Sequence, residues 1–246
     1  MALTTAGTAL TEAHRVAQVR TAAATLADIV SAWRLLDPAR LDATSPIYAR
    51  VAAAIIAGRR AESSNTAAAY LRAFRSAEGV PGVLDVALAG ELPAELVATT
   101  IRVTGPVAIK AGTAAGGKPF SAITDAALSE TAASGIRLVL AGGRDTVQRT
   151  IARDPAALGY ARVTDGSPCA FCAMLAGRGP VYKAGTSRFR AHKRCGCTAE
   201  PVYGRAGYRW PGGDRSRAWA DLYDTHAKGQ PDALAAFRAA YHATGS

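Results

Sequence analysis

All four cysteines of this chain fall between Cys169 and Cys197, a window of 29 residues, and the 168 residues before that window hold none. They are arranged as two knuckles, Cys169-Ala170-Phe171-Cys172 and His192-Lys193-Arg194-Cys195-Gly196-Cys197. A C-x2-C turn lets two thiolates point at one tetrahedral ion, and a second group roughly 20 residues on can close the shell. Five donors, Cys169, Cys172, His192, Cys195 and Cys197, then compete for four positions around an expected structural zinc ion. The spacing predicts Cys169 and Cys172 with two of the other three, and does not choose between those. Rival uses of the thiols are open. No basic stretch precedes an apolar block at the N-terminus, so no secretory signal is expected, and stable disulfides are less expected than metal or free thiols. Cys195 and Cys197 are also too close for a relaxed bridge. A thioredoxin-like role would need the C-x2-C inside a βαβ unit, which is not evident. Cys169 or Cys172 could instead meet His192 as a catalytic pair.

The text before the knuckles reads as helices. Val16, Val19, Ala23, Leu26, Val30 and Trp33 recur at 3-4-3-4-3 spacing, which puts them on one face and predicts a narrow packing seam. Asp37-Pro38 should end that helix, because proline disfavours helical geometry in the residue before it. Ser45-Pro46 reads as an N-cap with proline at the first helical position, opening a helix through Tyr70, Leu71 and Phe74 to Gly79. Further helices are expected from near Pro93 and near Phe120. Gly142-Gly143 followed by Arg144-Asp145 reads as a stop and a restart. The segment Gly112 to Lys118 has the spelling G-x4-G-K of a phosphate-binding loop. Pro119 stands where Ser or Thr should meet magnesium, and no buried strand precedes it, so a linker is expected.

Beyond Pro155 the character changes. Gly159 to Thr164 alternates like a short strand and stops at Asp165-Gly166, Ala170 to Leu175 can form a short helix, and Glu200 to Tyr203 a second strand. Helical pieces are expected near Arg215–His226 and Pro231–His242. The expectation is a mainly α protein: a helical region over 1–155, then a small α+β Cys/His-rich module over 156–246. No apolar stretch approaches the roughly 20 residues of a membrane span.

The formal charge is +10, and most of it is local. Between Arg178 and Arg217 ten basic residues stand against Glu200 and Asp214, with Tyr182, Tyr203, Tyr208 and Trp210 interleaved. Clustered arginine and aromatics suit phosphate contact and base stacking. Arg188, Arg190, Lys193, Arg194, Arg205 and Arg209 are the candidate nucleic-acid contacts; a solvated basic face or an acidic protein partner is the alternative.

The stretch from Gly159 to Tyr203 resembles the C-terminal signature of phage Mu F-like (MuF) minor head proteins. The resemblance rests on Asp165, Cys169, Cys172, Leu175, Gly177, His192, Cys195, Cys197 and Pro201, with Ala191 and Gly196 standing where the family commonly has Pro and Arg. The Arg- and Ala-rich composition is similar to that of relatives from phages of GC-rich actinobacteria. The resemblance implies a minor capsid protein for head morphogenesis in a tailed bacteriophage, a structural part without turnover. It implies placement in the virion near the portal, with the host cytoplasm as the site of assembly. The partners it implies are the portal protein, the major capsid protein and, non-specifically, phage DNA. Two other expectations stay beside it. One is an enzyme, either a head-maturation cysteine protease or an ADP-ribosyltransferase, although the residues after Tyr203 offer no plausible Arg–Ser–Glu set. The other is a zinc-knuckle nucleic-acid-binding protein.

Overall fold

The computed structural model describes residues 2–164, 166–182, 189, 191–204 and 213–244. The chain runs α1 (Thr5–Trp33), α2 (Leu41–Ala77), α3 (Ala94–Arg102), α4 (Ala108–Ala115), α5 (Phe120–Ile151), β1 (Gly159–Val163), α6 (Ala170–Gly177), β2 (Thr198–Val202), α7 (Gly213–His226) and α8 (Ala233–Ala243). It is mainly helical, with a small two-stranded sheet in the Cys/His-rich part, as the sequence predicts. None of the described helices is long and apolar enough to cross a membrane.

Helices α1, α2 and α5 form the body, and α3 and α4 pack against α2 and α5. A wide π turn at Val103–Val107 joins α3 to α4. It sits at Pro106, where proline has no N–H to give the helix ladder. Tyr48, Ile56, Ile101, Ile109 and Val139 fill one core. A second core joins the body to the sheet, with Leu71, Phe74, Val147 and Ile151 against Tyr160 and Ala199. The strands pair antiparallel, Gly159 opposite Val202 and Val163 opposite Thr198. The change of character near residue 155 is thus where long helices give way to β1, and one hydrophobic cluster spans it. Beyond the sheet, α6, α7 and α8 make their own cluster around Trp219, Phe237 and Tyr241. A Cβ on Gly177 would lie 3.1 Å from the backbone of Trp219 and Ala220, so this glycine lets α7 approach α6.

Three sequence expectations are corrected. The seam on α1 does not face the body: Val19, Leu26 and Val30 are exposed, whereas Thr11, His14, Gln18, Thr21, Thr25 and Ile29 are buried. The face that α1 turns to the bundle is largely polar, and most of it is bonded across to α2 and β2. Gln18 exchanges hydrogen bonds with Ser63, the Thr21 hydroxyl donates to Glu62, and Thr11 bonds both Tyr70 and Glu200. Ser45 is not a cap either. Helix α2 starts at Leu41, directly after a turn of 3-10 helix that Asp37 caps, and Pro46 lies inside it. Gly142-Gly143 does not break α5. The Gly143 N–H donates to Ser63 Oγ at 3.0 Å, and both glycines lie where other chain segments come too close for a side chain.

The Gly112–Lys118 segment forms the end of α4 and a turn with left-handed Gly116 and Gly117, as a linker requires.

His14 reports on this polar face. It stacks on Tyr70 with ring centroids 4.4 Å apart, and burial lowers its pKa from 6.5 to about 4. Between those values the unfolded chain takes up a proton that the folded chain refuses. The stability is therefore full above about pH 6.5 and falls as pH drops toward 4, by about 3 kcal/mol. His14→Phe keeps the aromatic stack and removes the titration. The variant's melting temperature should fall less than the wild type's between neutral pH and pH 4.5; parallel losses would refute this account.

Candidate metal centre

The first knuckle is held by α6. Cys169 is its N-cap residue and Cys172 lies in its first turn, buried. The second is a tight reversal leading into β2. Arg194 adopts a left-handed conformation with φ 62°, and the Cys195 N–H reaches back to the His192 carbonyl at 3.3 Å. Left-handed geometry is uncommon for a residue with a side chain, and here it turns Cys195 and Cys197 toward α6.

The two knuckles meet. His192 Nε2 lies 2.9 Å from Cys169 Sγ and 3.4 Å from Cys172 Sγ, and Cys172 Sγ lies 3.6 Å from Cys195 Sγ. Two donor groups form, Cys169/Cys172/His192 and Cys172/Cys195/Cys197, with Cys172 in both. All four cysteines are free, so no disulfide holds the knuckles. Zinc with bonds of about 2.3 Å to sulfur and about 2.0–2.1 Å to nitrogen spans roughly 3.8 Å between thiolates and roughly 3.5 Å between thiolate and imidazole. The Cys172–Cys195 and Cys172–His192 separations match those edges. Cys169 to His192 is shorter than such an edge. His192 Nδ1 faces the Lys193 carbonyl at 2.5 Å. That bond places the ring proton on Nδ1 and turns the Nε2 lone pair toward the sulfurs.

The electrostatics favour a thiolate at Cys195, while the Cys172 and Cys197 thiols are pushed up. Cys195 is pushed far down by the hydrogen bond it receives from Cys172, then by Cys197, with Arg144 adding to the effect, and Cys172 is correspondingly pushed up. Arg144, buried in α5, donates to the carbonyls of Cys195 and Cys197, so its charge stands behind the second knuckle. Arg162 on β1 comes within 3.9 Å of both Cys172 Sγ and Cys195 Sγ. The Phe189 ring sits under both guanidinium groups, 3.9 Å from Arg162 and 5.3 Å from Arg144. Three thiolates and a neutral imidazole around a divalent ion carry one net negative charge, which two neighbouring arginines offset. The residues therefore fit a metal ion of zinc's preferences.

Sequence reasoning missed Arg144, Arg162 and Phe189. No local spelling marks them: Arg144 comes from α5, some fifty residues before the second knuckle. Of the six nominated nucleic-acid contacts, Arg188, Arg190, Arg205 and Arg209 lie outside the described residues, as do Asp165, Tyr208 and Trp210. The other two face α5, where Lys193 pairs with Glu130 and Arg194 donates to Ser129 Oγ at 2.8 Å. They fasten the knuckle to the helical body.

No curated protein and no solved structure matches the chain. A family model, described as VG15 protein, matches residues 5–226, which takes in the helical body, the sheet and both knuckles. With nearly the whole chain covered, this protein belongs to the VG15 family of phage-associated viral proteins.

Proposed function

We propose that the chain is a minor structural component of a tailed-phage head, in which the helical body docks on portal or capsid proteins and the Cys/His centre holds a structural zinc ion. It acts by binding and has no turnover. The observation that carries this reading is the convergence of both knuckles on Cys172, within a phage-family chain whose knuckle spelling resembles that of MuF head proteins. The local positive charge supports a place beside packaged DNA, which is dense in phosphate. The ion would supply folding energy that short strands and loops lack.

One observation favours a second reading, a cysteine hydrolase. Cys169 and His192 are both exposed, 2.9 Å apart, and line a cleft of about 640 Å³ with Phe171, Arg238 and His242. The test uses the full chain, because the hydrophobic cluster across residue 155 makes truncation disruptive. Purified virions should contain the protein, and the zinc-loaded chain should retain portal or major capsid protein in a pull-down. A Cys169→Ala variant that keeps the fold and this binding, but fails to process a head protein that the wild type cleaves, would replace the structural reading with the enzymatic one. Absence from particles together with failure to bind either protein would overturn it outright.

A further inference from the structure

Helix α1 is amphipathic in an unusual sense, because the face that holds the bundle together is polar and a face turned outward is apolar. Val19 and Leu26 are each 44% exposed and Val30 40%, with Ala23 exposed between them and Val16 half-buried at the start. At 100° per residue this row lies roughly 120° around the helix from the buried Thr11–Gln18–Thr25–Ile29 row. Single exposed apolar residues need no explanation. A row that keeps a strict heptad register over roughly 21 Å does, since it contributes nothing to the chain's own core. Trp33 ends the row by turning in edge-on to Tyr48, ring centroids 5.3 Å apart.

The register specifies the shape of the occupant and the charges specify its sign. Val16, Ala23 and Val30 take the a positions and Val19 and Leu26 the d positions, the seam that receives the knobs of another helix. The acids beside it are already neutralised, Glu12 by Arg15 and Asp28 by Arg59. Arg20 and Arg34, on one flank, are exposed, and among the described residues no carboxylate pairs with either. A second copy of the chain fits poorly. A parallel pair sets Arg20 against Arg15 of the other copy, and an antiparallel pair sets it against Arg34.

We propose that this stripe is the docking surface for an amphipathic helix of another protein, one with apolar residues at a and d and Glu or Asp on the flank facing Arg20 and Arg34. The inference deepens the head-component reading and rests on it for the existence of a partner. The probe is a synthetic peptide of about four heptads with Val at a, Leu at d and Glu at e and g, which its own glutamates keep from self-pairing at neutral pH. The full-length protein should bind it at least tenfold more tightly than the same peptide with Lys at e and g. Leu26→Glu should weaken binding of the Glu peptide at least tenfold while leaving the circular-dichroism melt unchanged, because Leu26 packs in no core. Arg20→Glu with Arg34→Glu should reverse the peptide preference. Equal binding of the two peptides, no binding of the Glu peptide, or a self-dimer in sedimentation that Leu26→Glu dissociates would each overturn the proposal. Portal or capsid binding that survives Leu26→Glu would also overturn it while leaving the head-component reading standing; loss of all such binding by the wild-type chain would remove that reading itself.

Discussion

Replacing Cys172 by alanine is expected to abolish stoichiometric zinc binding and to lower the melting temperature by roughly 10 °C or more. Cys172 is the one donor shared by both groups, so its loss reduces each to a pair, Cys169 with His192 and Cys195 with Cys197. Structural zinc in small domains contributes about 10–16 kcal/mol of apparent binding free energy, while a whole domain's net stability is only about 5–15 kcal/mol. Even a partial loss is therefore large. It also leaves the Cys195 thiolate and the buried Arg144 and Arg162 charges without the ion that organises them. Metal content by mass spectrometry, with the thermal melt of the same sample, checks the prediction. Chelation of the wild-type protein should give the same melt as the variant. One zinc per chain retained by Cys172→Ala, with an unchanged melt, would show that the two knuckles do not close on a single ion.

What the sequence made legible and what it hid divide along a physical line. The donors were legible because metal chemistry demands particular residue types at short separations, and Cys169 to Cys197 satisfy that locally. The strands and α6 were legible because alternation at Gly159–Thr164 and the Asp165-Gly166 pair are local signals. The facing of α1 was not. Hydrophobic periodicity assumes that apolar residues go inside, but Gln18, Thr21 and Thr11 reach partners in α2 and β2 that are far away in sequence. Satisfied polar groups can occupy an interior at little net cost, and that frees the valines for the surface. Arg144 was hidden for the same reason: its meaning lies in the carbonyls of Cys195 and Cys197, about fifty residues downstream.

The Gly142-Gly143 pair shows how one spelling carries two opposite meanings, and it gives the second large prediction. Glycine weakens a helix by about 1 kcal/mol relative to alanine, so two in succession suggest a stop. In α5 they are instead a place where α2 and α1 approach closely. A Cβ on Gly142 would stand 2.6 Å from the Arg60 carbonyl oxygen and 2.9 Å from Arg60 Cγ. The Arg60 guanidinium in turn bonds the Leu138 carbonyl and Asp145, both on α5, so the two helices cannot separate without breaking those contacts. Gly142→Ala should therefore destabilise the protein by about 1–3 kcal/mol despite its better helix propensity, a cost typical of overpacking. Gly58 is the control, a glycine inside α2 with nothing within 4 Å of its added Cβ. Gly58→Ala should stabilise by about 0.5–1 kcal/mol. Denaturant unfolding of the two variants reads the contrast directly. If both are stabilised, propensity alone governs α5 and the close approach of α2 is not required; opposite signs mean that tertiary packing has overridden the local signal that made this pair read as a break.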